Sequence, residues 1–87
     1  MVTPPAAISL AQVSPGKRAR VEAVQGGRGL VTRLAAFGII PGTVVTVLGN
    51  AGAGPVVLEA RGSRLALGRG QAARIVVQVV AEEGSGS

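Results

Sequence analysis

Eight arginines and one lysine stand against four glutamates in this chain of 87 residues, a formal charge of +5. Histidine, cysteine, tyrosine and tryptophan are all absent. Those counts narrow the available chemistry. Without imidazole there is no ordinary general base near neutral pH. Without thiols there is neither a disulfide framework nor a thiolate metal site. A zinc or ferrous ion would find only carboxylates and one thioether, a poor donor set for either metal. The composition argues against a metalloenzyme or a triad hydrolase, and any other enzyme would need a tuned Glu. Glu22 and Glu59 lie on strand faces that read as ordinary solvated surface. No catalytic residue, metal ligand or cofactor is assigned.

The cations are the remaining candidates for function. They favour anionic partners: nucleic acid, an acidic protein surface or anionic lipid head groups. The plain alternative is that they keep the protein soluble. Arg61, Arg64 and Arg69 flank an expected hairpin, either as one basic patch or as a charged edge that discourages strand addition. Arg28 sits in Gly26-Gly27-Arg28-Gly29, ahead of an expected helix. That loop is read as one needing positive φ, with weak anion binding at the helix start as the alternative. Arg33 lies beside an apolar helical stripe, where its stem can cover the core while its head reaches water. Gly16-Lys17 does not make a phosphate loop, because Ala11 holds the first glycine position and Arg18 the Ser/Thr position. A single aromatic, Phe37, counts against modules that stack bases on rings.

The elements that must position these residues are mostly strands. Twenty-five residues are Val, Leu or Ile, with Val alone contributing 14, and there are 14 Gly and 5 Pro. A Val-rich, turn-rich chain of this length reads as one small β-rich barrel. Arg18 to Val24 alternates, with Ala19, Val21 and Ala23 on the inner face. Leu30, Leu34 and Phe37 then fall at helical spacing, and Gly38 stops that helix. Ile40-Pro41-Gly42-Thr43 is a type II turn, and Thr43 to Leu48 is a strand. Gly49 to Pro55 reads as a featureless loop. Val56 to Arg61 alternates again, with Val56, Leu58 and Ala60 inward and Val57 more exposed. Gly62-Ser63 is expected as a type II′ hairpin turn before Arg64 to Leu67. A single turn at Gly68 to Arg74 precedes the last strand, Ile75 to Val80. The sum is about five strands and one short helix.

Mean hydropathy is +0.48 and Leu34 to Leu58 carries no charge, long enough on paper to span a bilayer. Its glycines and prolines break it into strand-sized pieces, so no membrane helix is expected. No secretory signal is legible, and a cytoplasmic location is the expectation. Residues 1–7 read as a flexible arm, 8–80 as the barrel and 81–87 as a disordered tail.

One arrangement goes beyond composition. Gly26-Gly27, then Arg33-Leu34, Gly38 and Pro41-Gly42-Thr43 ahead of a Val-rich strand resemble the signature of the FeoA family. Pro55 to Glu59, Arg61-Gly62 and Leu65-Ala66-Leu67 are similar to that family's hairpin, and Ile75-Val76-Val77 to its closing strand. The likeness runs from Ile8 to Val80. Gly68-Arg69-Gly70-Gln71 departs from it, replacing a more helix-favouring run. The resemblance implies a mostly β, SH3-like barrel that acts in bacterial ferrous iron uptake without being an enzyme. It implies one partner, the ferrous iron permease with a cytosolic GTPase domain (FeoB-type), through which alone the chain would meet the membrane. The same module occurs in metal-dependent repressors, so a repressor's accessory domain is an alternative, as is a small basic nucleic-acid-binding barrel. No nucleic acid is expected as partner under the leading reading, and a monomer or weak homo-oligomer is. Partner contact is assigned to Arg28, Arg33, Val57, Arg61, Arg64 and Arg69. Leu30, Leu34, Phe37, Gly38, Pro41 and Gly42 are given scaffold roles, the three apolar ones plugging one barrel end.

Overall fold

The computed structural model describes residues 7–80; the expected arm, save Ala7, and the tail lie outside them. Six strands form one antiparallel sheet: β1 (Ile8–Ser9), β2 (Arg18–Val24), β3 (Val44–Asn50), β4 (Val56–Ala60), β5 (Ser63–Leu67) and β6 (Ile75–Val79). Their spatial order is β1-β6-β2-β3-β4-β5. Helix α1 (Arg28–Ala36) joins β2 to β3, and the single turn α2 (Arg69–Ala72) joins β5 to β6. A 3-10 turn, Leu10–Gln12, follows β1. The sheet curls so that α2 packs against this 3-10 turn, spanning the gap between the two sheet edges. The sixth strand is the two-residue β1, beyond the five or so that the sequence leads one to expect.

Alternation explains the core. Val56, Leu58 and Ala60 of β4, Leu65 and Leu67 of β5, and Ala19 and Val21 of β2 all point inward and are buried. No polar or charged residue is buried among the described residues. Two bulges interrupt the pattern. In β2 the register shifts between Val21 and Ala23, so Glu22 is the extra residue and Ala23, expected inward, is exposed. In β3 it shifts between Val47 and Gly49, which leaves Leu48 40% exposed.

Helix α1 is short and has no side-chain cap at Gly27. It is held by packing, since Leu30 and Leu34 enter the core. Phe37, expected to plug the barrel end with them, does not join them. The helix ends at Ala36, after which the Gly38 amide bonds Ala35 O and the Ile39 amide bonds Leu34 O, both at 2.9 Å. This is a Schellman motif, with Gly38 at φ 78°. The reversal swings Ile39 into the core and leaves Phe37 at the surface, 36% exposed. Helical spacing cannot extend past the residue where the helix stops. The next turn forms as expected: the Thr43 amide donates to Ile40 O at 2.9 Å, and Gly42 has φ 99°.

The β4–β5 turn differs from expectation by one residue. Ala60 pairs with Ser63, so Arg61 and Gly62 are the turn residues, with φ 53° and 84°. Two positive φ values define type I′, the form whose twist suits a hairpin. The expected loop at Gly49 to Pro55 is also shorter, because β3 runs through Gly49 and Asn50.

Candidate functional site

The six residues assigned to partner contact do not form one surface. Arg61 occupies the β4–β5 turn, while Arg69 opens α2 at the far end of β5. A strand of five residues therefore separates them. Arg64 lies on the exposed face of β5, opposite Glu59 in register without forming an ion pair with it. Among the described residues the one ion pair is Arg20 Nε to Glu22 Oε2, at 3.2 Å across the β2 bulge. Val57 is half-buried, paired with Ala66 and Gly49. Arg28 is exposed at the first position of α1, apart from the hairpin.

Arg69 and Arg33 are occupied by internal bonds. The Arg69 guanidinium reaches inward, donating from Nη1 to Ala11 O at 3.4 Å and from Nη2 to Asn50 Oδ1. Asn50 Nδ2 donates to both Ala11 O and Val13 O at 2.8 Å. A 3-10 turn leaves carbonyls without backbone partners, and these two side chains serve them. Arg69 Nε is buried with no partner. Arg69 is thus a fastener of the sheet's two edges, in place of the expected exposed flank. Asn50 was hidden in the expected loop; its neighbours Gly49 and Ala51-Gly52 make it look like a turn residue. Arg33 bridges elements too: Nη1 donates to Gln71 Oε1 at 3.2 Å and Nη2 to Ala66 O at 3.4 Å. Its head lies beside the outer edge of β5, tying α1 to α2.

At the opposite end the side chains turn outward. The Arg61 stem lies along Gly38, where an added Cβ would come within 2.6 Å of Arg61 Cδ. Thr43 Oγ1 donates to Gly38 O at 3.2 Å and accepts from the Ile40 amide at 3.1 Å. The Gly42 amide bonds Val21 O, and the Val21 amide bonds Thr43 O, which docks this turn on β2. Pro41 thereby sits in a fixed turn ahead of β3. Around it Phe37, Ile40 and Val44 are exposed.

Among the described residues no three Asp, Glu, His or Cys side chains come together, and no pocket opens. No helix there is long and apolar enough to cross a membrane. The arrangement offers surfaces for contact.

A curled antiparallel sheet of six short strands, with one helix in its β2–β3 connection, is a small SH3-like barrel. The family model that matches it is the FeoA domain, over residues 8–79. The chain belongs to the FeoA family. It is 36% identical over 69 residues to a protein of Methanocaldococcus jannaschii designated Fe(2+) transport protein A, covering 79% of this chain and 83% of that one. Among solved structures it resembles the crystal structure of an iron uptake regulatory protein, FeoA, at 29% identity and a TM-score of 0.79. That match covers 86% of this chain and all of the other. It also resembles Stenotrophomonas maltophilia FeoA complexed with zinc, described as a procaryotic SH3 domain protein, at 28% identity and a TM-score of 0.71. There the match covers 82% of this chain and 89% of that one.

Proposed function

We propose that this chain is a non-enzymatic accessory protein of ferrous iron uptake, working in the cytoplasm by contact with the GTPase-bearing iron permease. The observation that carries this reading is the FeoA match across residues 8–79. The relatives' names support it: one is an Fe(2+) transport protein A and another an iron uptake regulatory protein. The geometry fits a binding module, with Phe37, Ile40, Val44 and Arg61 on exposed surface. The nucleic-acid alternative loses ground, because Arg33 and Arg69 are engaged in internal bonds and Arg20 in an ion pair. Calorimetric titration with the permease's cytosolic GTPase domain tests the proposal. Saturable binding supports it; no heat with or without guanine nucleotide overturns it.

A further inference from the structure

Among the described residues seventeen aliphatic side chains fill the core, and the chain's one aromatic is not one of them. Phe37 stays 36% exposed, Ile40 55% and Val44 40%. They succeed one another from the end of α1, through the Pro41-Gly42 turn, to the first residue of β3. The segment that carries them is fixed by the Schellman bonds, by Thr43 and by the pairing with Val21. Little ordering would remain to be done on binding, which favours affinity.

Two arginines border these residues. Arg20 is the cross-strand partner of Val44, but its guanidinium is held by Glu22 and Gln78. Arg61 runs along Gly38, next to Phe37, and has neither a hydrogen-bond partner nor a carboxylate within ion-pair distance among the described residues. Its φ of 53° is the one positive value at a non-glycine residue among them. Large apolar side chains left exposed along one fixed segment point to an interaction site. Aromatic and arginine side chains are the types that interface centres enrich.

We infer that this end of the barrel, formed by Phe37, Ile40, Val44 and Arg61, is the face that holds the chain's protein partner. Its occupant is an acidic protein segment, presenting an apolar side chain to Phe37, Ile40 and Val44 and a carboxylate to Arg61. The inference rests on the accessory-protein reading above and names the surface it uses. Charge selects this occupant. A second copy would bring a surface of the same sign, from a chain of charge +5, against Arg61. Lipid anchoring takes two strong signals, and one free guanidinium beside three short apolar side chains supplies neither. RNA would answer Arg61 but leave the aliphatic residues unmatched.

The test is a titration of the whole chain with the permease's cytosolic domain, by calorimetry and by amide chemical shifts. Ile40→Asp is expected to weaken binding about 30-fold, the size of an interface hot spot. Arg61→Asn should weaken it about 5-fold, as loss of a charged contact. Both variants keep the fold: Ile40 is mostly exposed, and Asn suits a positive φ better than Arg. Leu48→Asp, on an exposed position of β3 away from the turn, should stay within about twofold of the unmodified chain. If the unmodified chain binds and Ile40→Asp and Arg61→Asn bind equally well, the face is wrong and the accessory reading survives. No binding by the unmodified chain overturns both. Co-sedimentation with phosphatidylglycerol vesicles that Ile40→Asp abolishes, with the domain absent, overturns the protein occupant in favour of lipid.

Discussion

Arg61 precedes β5 and Arg69 follows it, yet the two residues have opposite jobs. Arg69 points inward to Ala11 O and Asn50, and Arg61 lies on the surface with its head unpaired among the described residues. The cause is the backbone each one meets. At the Arg69 end, the 3-10 turn presents carbonyls of Ala11 and Val13 that no strand serves. At the Arg61 end, Gly38 O already has Thr43 Oγ1, and the Ile40–Thr43 turn closes its own hydrogen bond. Asn50 turns its amide nitrogen to these carbonyls, and its Oδ1 then takes the Arg69 guanidinium as donor; at the other end the acceptors are already satisfied, and Arg61 stays in solvent. Residue type alone assigns neither job.

The contrast can be broken at its strongest point first. Asn50→Ala removes the donor to two carbonyls and the acceptor for Arg69. It is expected to destabilise the fold by about 3 kcal/mol, the desolvation cost of partners left unpaired. A urea melt with unchanged slope would read this as a lowered midpoint. Arg69→Met should cost less, about 1–2 kcal/mol, because Asn50 still serves both carbonyls. Measuring the two singles and the double should give a coupling of at least about 0.5 kcal/mol; simple additivity would show that the two side chains act separately. At the other end, Gly38→Ala forces a Cβ into the left-handed region and against the Arg61 stem. About 1–2 kcal/mol is expected there, again by urea melt. Arg61→Asn should leave stability within about 0.5 kcal/mol or raise it, since Asn tolerates positive φ. Binding to the permease domain is the readout it moves.

What could be read from the sequence was set by local pattern. Strand faces were legible wherever alternation ran unbroken, as in β4, whose inward residues Val56, Leu58 and Ala60 are all buried. A bulge adds a residue without any required composition, so alternation alone sets Ala23 on the wrong face. The β4–β5 turn shows a subtler limit. Turns at Arg61-Gly62 and at Gly62-Ser63 both keep Leu65 and Leu67 inward, so alternation cannot separate them. Charge can: the observed register sets Arg64 opposite Glu59, whereas the other would set Arg64 opposite Arg61. Helical spacing fails at Phe37 because the Gly38 stop, which the sequence also displays, ends the helix at Ala36. For the candidate site, the sequence displays the basic residues one by one, but their grouping depends on which sheet edges meet. Asn50 and Ala11 are far apart in the chain, and nothing local joins them.

The strand order has a consequence for how the chain reaches this state. From β2 to β5, neighbours in space are neighbours in sequence, linked by a helix or short turns. β6 departs from this order, lying between β1 and β2, with Val77 opposite Val21 and Ile8. Joining it closes a long stretch of chain, and that loss of freedom must come before the contacts that reward it. The β2–β5 meander is therefore expected to set the folding rate, with β6 locking in afterwards. A chevron plot of Val77→Ala should show faster unfolding and little change in refolding, whereas Leu58→Ala in β4 should slow refolding itself.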